Sequence, residues 1–296
     1  MRRLPVLLSI ALVGALPLTA PAQAKPATVK HGYVVSRFLV PTSGAQAIKV
    51  GFDLDGDRVV DNRIGQLFGF LAGEGLDLQA AADEAVSRGA VVSLVSIRTT
   101  SLKNDDAVKV RLLRGKPVED PDFTAGTFAV DGDAPKSVLK GRIAGGVLLT
   151  KPGKLRLTLP SLYPGLPSIS LDLAKARLAA KCTATRCRKG KLGGGISVVQ
   201  INLRVVPAIG AIARAAIAAD CTGATESTCA DGSNGQTMMQ YLDADNDGTV
   251  TNEEVRTNLL VKSALAPDVD LDGDGKKDAV SIGVGFRAVF ADVKGD

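Results

Sequence analysis

Three carboxylates, a glycine and a closing glutamate recur at fixed spacing in residues 243–254, DADNDGTVTNEE. Asp243, Asp245 and Asp247 stand at positions 1, 3 and 5 of a twelve-residue loop, Gly248 at 6, Thr251 at 9 and Glu254 at 12. A calcium ion takes about six to eight oxygens at about 2.3–2.6 Å, and this spacing supplies them from one short segment. Each aspartate offers one oxygen. Thr249 offers its backbone carbonyl from position 7, Thr251 a seat for a bridging water, and Glu254 both carboxylate oxygens. Gly248 permits the positive φ that turns the chain round an ion, and Val250 is an apolar anchor to a core. The plain alternative is an acidic surface turn.

Two shorter loops repeat the register. Residues 270–278, DLDGDGKKD, put Asp270, Asp272, Asp274, Gly275, Lys276 and Asp278 at positions 1, 3, 5, 6, 7 and 9, with Ser281 where the closing glutamate would stand. Residues 53–61, DLDGDRVVD, put Asp53, Asp55, Asp57 and Asp61 at 1, 3, 5 and 9, with Arg58 in place of glycine and Ile64 at 12. For both, the alternative is an Asp/Gly turn that ends a strand. Residues 243–254 resemble the EF-hand calcium loop at every ligand position. The shorter loops resemble the calcium loops of dockerin and thrombospondin-type repeats. The whole chain resembles secreted bacterial proteins that join an EF-hand loop to a β-rich body, a likeness that carries no activity with it. Ca2+ is the expected cofactor.

Other chemistry finds little to work with. His31 is the lone histidine, and there is no G-x-S-x-G elbow, P-loop or H-E-x-x-H. Acidic pairs such as Glu74 with Glu84, or Glu119 with Asp122, have glycosidase character, but nothing singles one out. The expectation is a protein that is not an enzyme. With no Trp, three Tyr and eight Phe, the core must be built from Val, Leu, Ile and Ala, and aromatic platforms for sugars are scarce.

The elements that must position these loops follow from periodicity. Residues 25–47 read as an irregular lead-in with an apolar patch at 33–40. Ile48, Val50 and Phe52 alternate as a strand running into the first aspartate loop. Residues 62–71 and 77–88 read as helices, the second capped by Asp77 and stopped by Gly89, and residues 90–97 as a buried strand. From there to about 180 the period is two: Val108, Val110 and Leu112; Leu155, Leu157 and Leu159 after a Pro152–Gly153 turn; Ile169, Leu171 and Leu173. Residues 198–219 read as helix with Pro207 opening or kinking the second half, and residues 234–242 and 252–261 as helices entering and leaving the twelve-residue loop. Val280, Ile282, Val284 and Phe286 alternate as a strand that returns to the sheet. The expected fold class is α+β: an antiparallel β-sandwich-like body with short helices and a C-terminal EF-hand-type calcium region. The domains are 1–24 as signal peptide, 25–195 as β-rich body with the first calcium loop, and 196–296 as the helical calcium region.

Arg2 and Arg3, an apolar run at 4–18 and Ala22-Gln23-Ala24 have the form of an export signal. No later segment reads as long and apolar enough for a membrane span, so the expected location is secreted, periplasmic or extracellular. Cys182, Cys187, Cys221 and Cys229 suit an oxidising compartment. Of three pairings, their clustering favours 182–187 and 221–229; zinc is the rival, without a C-x-x-C. Residues 135–220 hold 15 Lys/Arg against two acids. That asymmetry marks either a polyanion partner, an internal electrostatic match or a solvated face. Lys154, Arg156, Lys175 and Arg177 are expected to share an exposed face, with Arg186, Arg188 and Lys189 near one end. Three functions compete: an exported calcium-binding protein with a structural or surface-interaction role; a calcium-dependent module that binds a polyanionic envelope or extracellular polymer through the basic 136–191 region, without specific nucleic acid; and a secreted calcium-requiring hydrolase or lyase.

Overall fold

The structure is a computed structural model and describes residues 26–296 apart from 74, 125, 133–136, 161–162 and 164. The expected leader, Glu74 and Lys136 lie outside the described residues.

Eight strands pair in sequence order, all antiparallel: β1 (Val29–Leu39), β2 (Ser93–Thr99), β3 (Asp105–Arg114), β5 (Ser137–Ala144), β6 (Val147–Thr150), β8 (Ile169–Cys182), β9 (Arg186–Ser197) and β10 (Ala279–Phe290). Two pairings close the ring. β6 reaches β8 through Val147 opposite Lys181, and β10 lies against β1 through Tyr33 opposite Phe290. The sandwich expectation is therefore wrong: this is a closed up-and-down barrel, and the protein is mostly β. A period of two reports which face of a strand is buried. It does not report whether the sheet ends in two edges or meets itself. β4 (Thr127–Ala129) and β11 (Asp292–Lys294) form a separate parallel ribbon, and β7 (Gly153–Leu159) is an extra strand. β8 makes room for it, because its first half pairs with β7 and its second with β6. Register shifts between Ala174 and Arg177 and between Ala179 and Lys181 bend β8 between the two jobs.

One large core joins the barrel to its helices, with Tyr33, Ile97, Leu139, Leu148, Leu178 and Ile282 all 2% exposed or less. A second cluster, including Val34, Leu94, Leu113, Phe128 and Val293, covers the other face of β1 to β3 beneath the β4–β11 ribbon. That double cover corrects the reading of residues 25–47 as irregular. β1 is buried on both faces, so its apolar residues run consecutively and lose the alternation.

The 48–52 strand is also overturned. Residues 44–50 form a helix, α1 (Gly44–Val50), which Ser43 caps by accepting a hydrogen bond from the Gln46 N–H, and Ile48 faces solvent. α2 (Arg63–Gly73) and α3 (Leu78–Ser87) fall where expected; Asp77 caps α3, and Gly89 turns the chain at φ 66°. Residues 198–220 are helical as α4 (Val198–Gln200), a π turn (Ile201–Val205) and α5 (Val206–Asp220). Pro207 has no N–H for an i→i−4 bond, and just before it the Val206 N–H donates to the Ile201 carbonyl. Contrary to expectation, residues 198–220 are long and apolar enough to cross a membrane by length and composition. Their Val206, Ala213, Ala216 and Ile217 are buried in the shared core. α6 (Asn234–Leu242) agrees with the sequence reading. The helix expected over 252–261 is two, α7 (Asn252–Thr257) and α8 (Leu259–Ala264), because Asn258 leaves helical geometry and caps the next turn, accepting from Leu260 and Val261.

Asp105 ties the start of β3 to the end of β2. Its carboxylate accepts hydrogen bonds from the Thr99 hydroxyl (2.6 Å), the Thr100 N–H (2.6 Å) and the Ala107 N–H (2.8 Å). Burial pushes this carboxyl up, but those donors outweigh it and bring it from 3.8 down to about 2. A depressed folded value means stability that is present above pH 3.8 and lost as the pH falls towards 2. Asp105→Asn is expected to lower the urea midpoint at pH 6, with the difference from the parent shrinking as the pH is taken from 4 to 2.

Candidate metal centres

The fold brings nine acids into three groups, in each of which one carboxylate oxygen per residue lies within 4.8 Å of the others: Asp53, Asp55 and Asp57; Asp243, Asp245 and Glu254; Asp270, Asp272 and Asp274. Asp61, Asp247 and Asp278 fall outside these groups. The N–H groups of Thr249 and Lys276 donate to Asp247 and Asp274, and Thr251 caps α7.

The twelve-residue loop joins α6 to α7, a helix–loop–helix. Asp243 accepts from the N–H groups of Asp247 (3.2 Å) and Gly248 (2.9 Å), Asp245 from Asp247 (3.2 Å), and Asp247 from Thr249 (2.7 Å). Glu254 spans the ring: one oxygen accepts from Ala244, the other from the N–H and hydroxyl of Thr251. Burial raises this carboxyl, yet the Thr251, Ala244 and Asp245 donors hold it below the ordinary glutamate value. Gly248, at φ 83°, is irreplaceable on two counts, since a Cβ there would also meet Ala224 at 2.4 Å. Ala224 belongs to the turn closed by the Cys221–Cys229 disulfide, so that covalent loop braces the twelve-residue loop. Arg214 donates to the carbonyl of Val250, whose side chain is fully buried. The other disulfide, Cys182–Cys187, links β8 to β9. Both pairings are the local ones that the spacing favours.

The two shorter loops are copies of one another in bonding. Position 1 accepts from the N–H groups at 4 and 6: Asp53 from Gly56 and Arg58, Asp270 from Gly273 and Gly275. Position 9 accepts from position 2, with Asp61 taking the Leu54 N–H at 2.7 Å and Asp278 the Leu271 N–H at 2.9 Å. That is the bond that Glu254 makes to Ala244, so in these loops an aspartate three residues earlier closes the ring. Ser281 and Ile64 are not needed for it. Ser281 is buried in β10 and bonded to Asp268, and Ile64 is in the core. Arg58 takes φ 71° where Gly275 takes φ 86°, a left-handed conformation that costs a side-chain-bearing residue about 1 kcal/mol.

These two loops, distant in sequence, lie side by side. Phe52 and Leu54 of one share a small core with Val269 and Ala279 of the other. The Asp270 N–H points to Asp55 at 3.4 Å, and the Lys277 ammonium bonds Asp55 and lies 3.8 Å from Asp57. The Lys277 hydrogen bond holds Asp55 below the ordinary aspartate value, as the Gly273 and Gly275 N–H groups do for Asp270. Asp61 is pushed up to about 6 by burial, with Asp55, Asp268 and Asp57 adding repulsion.

Sequence reasoning missed the cations that serve these loops. Lys175, at the bulge of β8 with φ 46°, donates to the Asp270 carbonyl at 2.8 Å, and Arg177 to the Asp53 carbonyl at 3.2 Å. Lys191 donates to Gly51 at 2.7 Å and stands over the Phe52 ring at 4.3 Å. The alternation of Lys175 and Arg177 was visible as a charged face; the bulge that turns them onto the loops was not. Arg156, paired with Asp172 through Nε and one terminal nitrogen, is not a free cation either, and of the four expected to share an exposed face only Lys154 is exposed. No family model, no curated protein and no solved structure matches the chain, so the reading of these loops rests on their own geometry.

Proposed function

We propose that this chain is an exported calcium-binding protein with a structural or surface-interaction role, in which the ion holds the fold together and no reaction is catalysed. The observation that carries the reading is the convergence of three carboxylates in each of three loops built to one register. All-oxygen donor sets on flexible loops suit calcium better than softer metals. Export is supported by the leader-like residues 1–24 and by two disulfides, the mark of an oxidising compartment. Residues 243–254 are then an EF-hand-type loop. Calorimetric titration with calcium tests this, and Glu254→Ala is expected to lose more bound calcium than Asp278→Ala, because Glu254 alone can give two oxygens. Absence of any binding heat in the parent would sink the reading, and equal losses in the two variants would overturn the ranking.

A second reading, binding of a polyanionic polymer, is favoured by like charges facing across the barrel ladder. Lys181 lies opposite Arg188 and Lys140 opposite Lys109, all exposed. Such pairs repel in isolation, and an anionic polymer would relieve them in a salt-dependent way. Retention on heparin above about 0.15 M salt supports this reading, and earlier elution excludes it.

A further inference from the structure

A groove of about 760 Å³ opens between α2, α5, α6 and α8, within the about 300–1,000 Å³ typical of small-molecule sites. Its walls are apolar, formed by Leu67 and Leu71 of α2, Ile209 and Ile212 of α5, and Val261 of α8. It reaches down to Leu171 of β8 and Ile282 of β10, residues otherwise 2% exposed or less, so it is deep as well as long. Its rim leaves large apolar side chains in solvent: Phe70 is 57% exposed, Leu203 69% and Leu260 55%. None of this is spent on the metal loops.

The charges along this groove have one sign. Arg63 and Arg204 line it, and no carboxylate does among the described residues. Arg63 gives one terminal nitrogen to the Ser263 carbonyl at 3.0 Å, but its Nε is shut off from solvent with no acceptor. A buried cationic N–H without an acceptor is costly; Arg98 and Arg177 also have one, but of the three only Arg63 lines the groove. Arg204 is exposed and its field reaches Asp172, which already has Arg156 as a direct partner. A flat face with mixed charge would fit a protein partner; a deep apolar slot with two cations and no acid fits a chain with an anionic head.

We propose that this groove binds a single-chain anionic amphiphile, a long-chain fatty acid, with the acyl chain along α2 and α5 and the carboxylate held by Arg63. The proposal is independent of calcium. The full-length mature protein, stripped of lipid, is titrated with cis-parinaric acid, whose fluorescence rises in an apolar site, and the probe is then displaced with palmitate or with hexadecanol. Palmitate is expected to bind about tenfold more tightly than the alcohol, the margin of a charge-assisted hydrogen bond. Arg63→Met should abolish that preference while keeping alcohol binding. Ala211→Trp and, independently, Ala208→Phe should fill the slot and weaken both ligands by at least about tenfold, with an unchanged far-UV spectrum as evidence of folding. No parinaric fluorescence in the parent, equal affinity for acid and alcohol, or undiminished binding in both filled variants overturns the proposal. So does light scattering that shows a dimer dissociated by Ala211→Trp, since the groove is then a subunit interface.

Discussion

Millimolar calcium is expected to raise the melting temperature by about 5–10 °C over the EDTA-treated protein. A ligand that binds only the folded chain at a hundredfold excess over its dissociation constant adds about 2.7 kcal/mol. In a chain of this size each kcal/mol moves the midpoint by about 2–4 °C. The structural reason is that each loop gathers three carboxylates within 4.8 Å, and two of the loops pack on one another. Lys277 is the one cation that bonds the side-chain carboxylates of that pair in the described residues. On the proposed reading, a bound ion would neutralise the remainder and fix the loops to β10. Magnesium, which gives up its water shell reluctantly, should deliver a smaller shift at the same concentration. Calorimetric scans in EDTA, calcium and magnesium make the comparison. Identical midpoints in all three would remove calcium from the account of this fold.

Asn62→Leu is expected to cost about 3–5 kcal/mol. Asn62 follows the last residue of the first loop, is 1% exposed, and has every hydrogen-bonding position of its amide in use. Its nitrogen donates to the carbonyls of Ala47 (2.9 Å) and Gly283 (3.0 Å); its oxygen accepts from the N–H groups of Gly65 (3.0 Å) and Gly283 (2.6 Å). Leucine has the same branched arrangement of heavy atoms but is bulkier and cannot hydrogen-bond; Ala47 keeps its Gly51 N–H, while the Gly65 N–H and both Gly283 groups lose this partner, and each orphaned buried group costs about 1–3 kcal/mol. Gly283 is what lets the amide come so close, since a Cβ there would meet the Val50 carbonyl at 2.8 Å and Asn62 at 3.0 Å. Urea unfolding measures the loss. A change below about 1 kcal/mol would show that water replaces the amide and that α1, α2 and β10 are not joined through it.

What the sequence made legible was local chemistry. The spacing in residues 243–254 marks the acids of which Asp243, Asp245 and Glu254 converge, and α6 and the two disulfides follow from nearby residues. The same holds for Asp77 at the start of α3. Closure of the barrel was not legible, because Val147 opposite Lys181 is a meeting of strands that no periodicity encodes. β1 was missed because two cores erase its alternation, and α1 because Ile48, Val50 and Phe52 alternate as a strand would. Within the candidate site, the carboxylates at positions 1, 3 and 5 of the shorter loops do come together as groups. The role of Asp61 and Asp278 as ring closers, and of Lys175, Arg177 and Lys277 as internal cations, depends on contacts between segments far apart in the chain.

The pairing of β1 with β10 also has a kinetic meaning. Every other neighbour in the ring follows in chain order, with α1 to α3, β4 and β7 carried in the connections, so a growing chain can add the ring strands from β1 to β9 one after another. The ring is not complete until residues 279–290 arrive, more than 200 residues after their partner. Until then β1 and β9 each present an open ladder of N–H and carbonyl groups, the kind of edge that recruits other chains. The seam brings a high contact order and a slow final step. A chain held unfolded until its last strand has been delivered never displays those edges, which is the order of events imposed by transport through a narrow pore before folding.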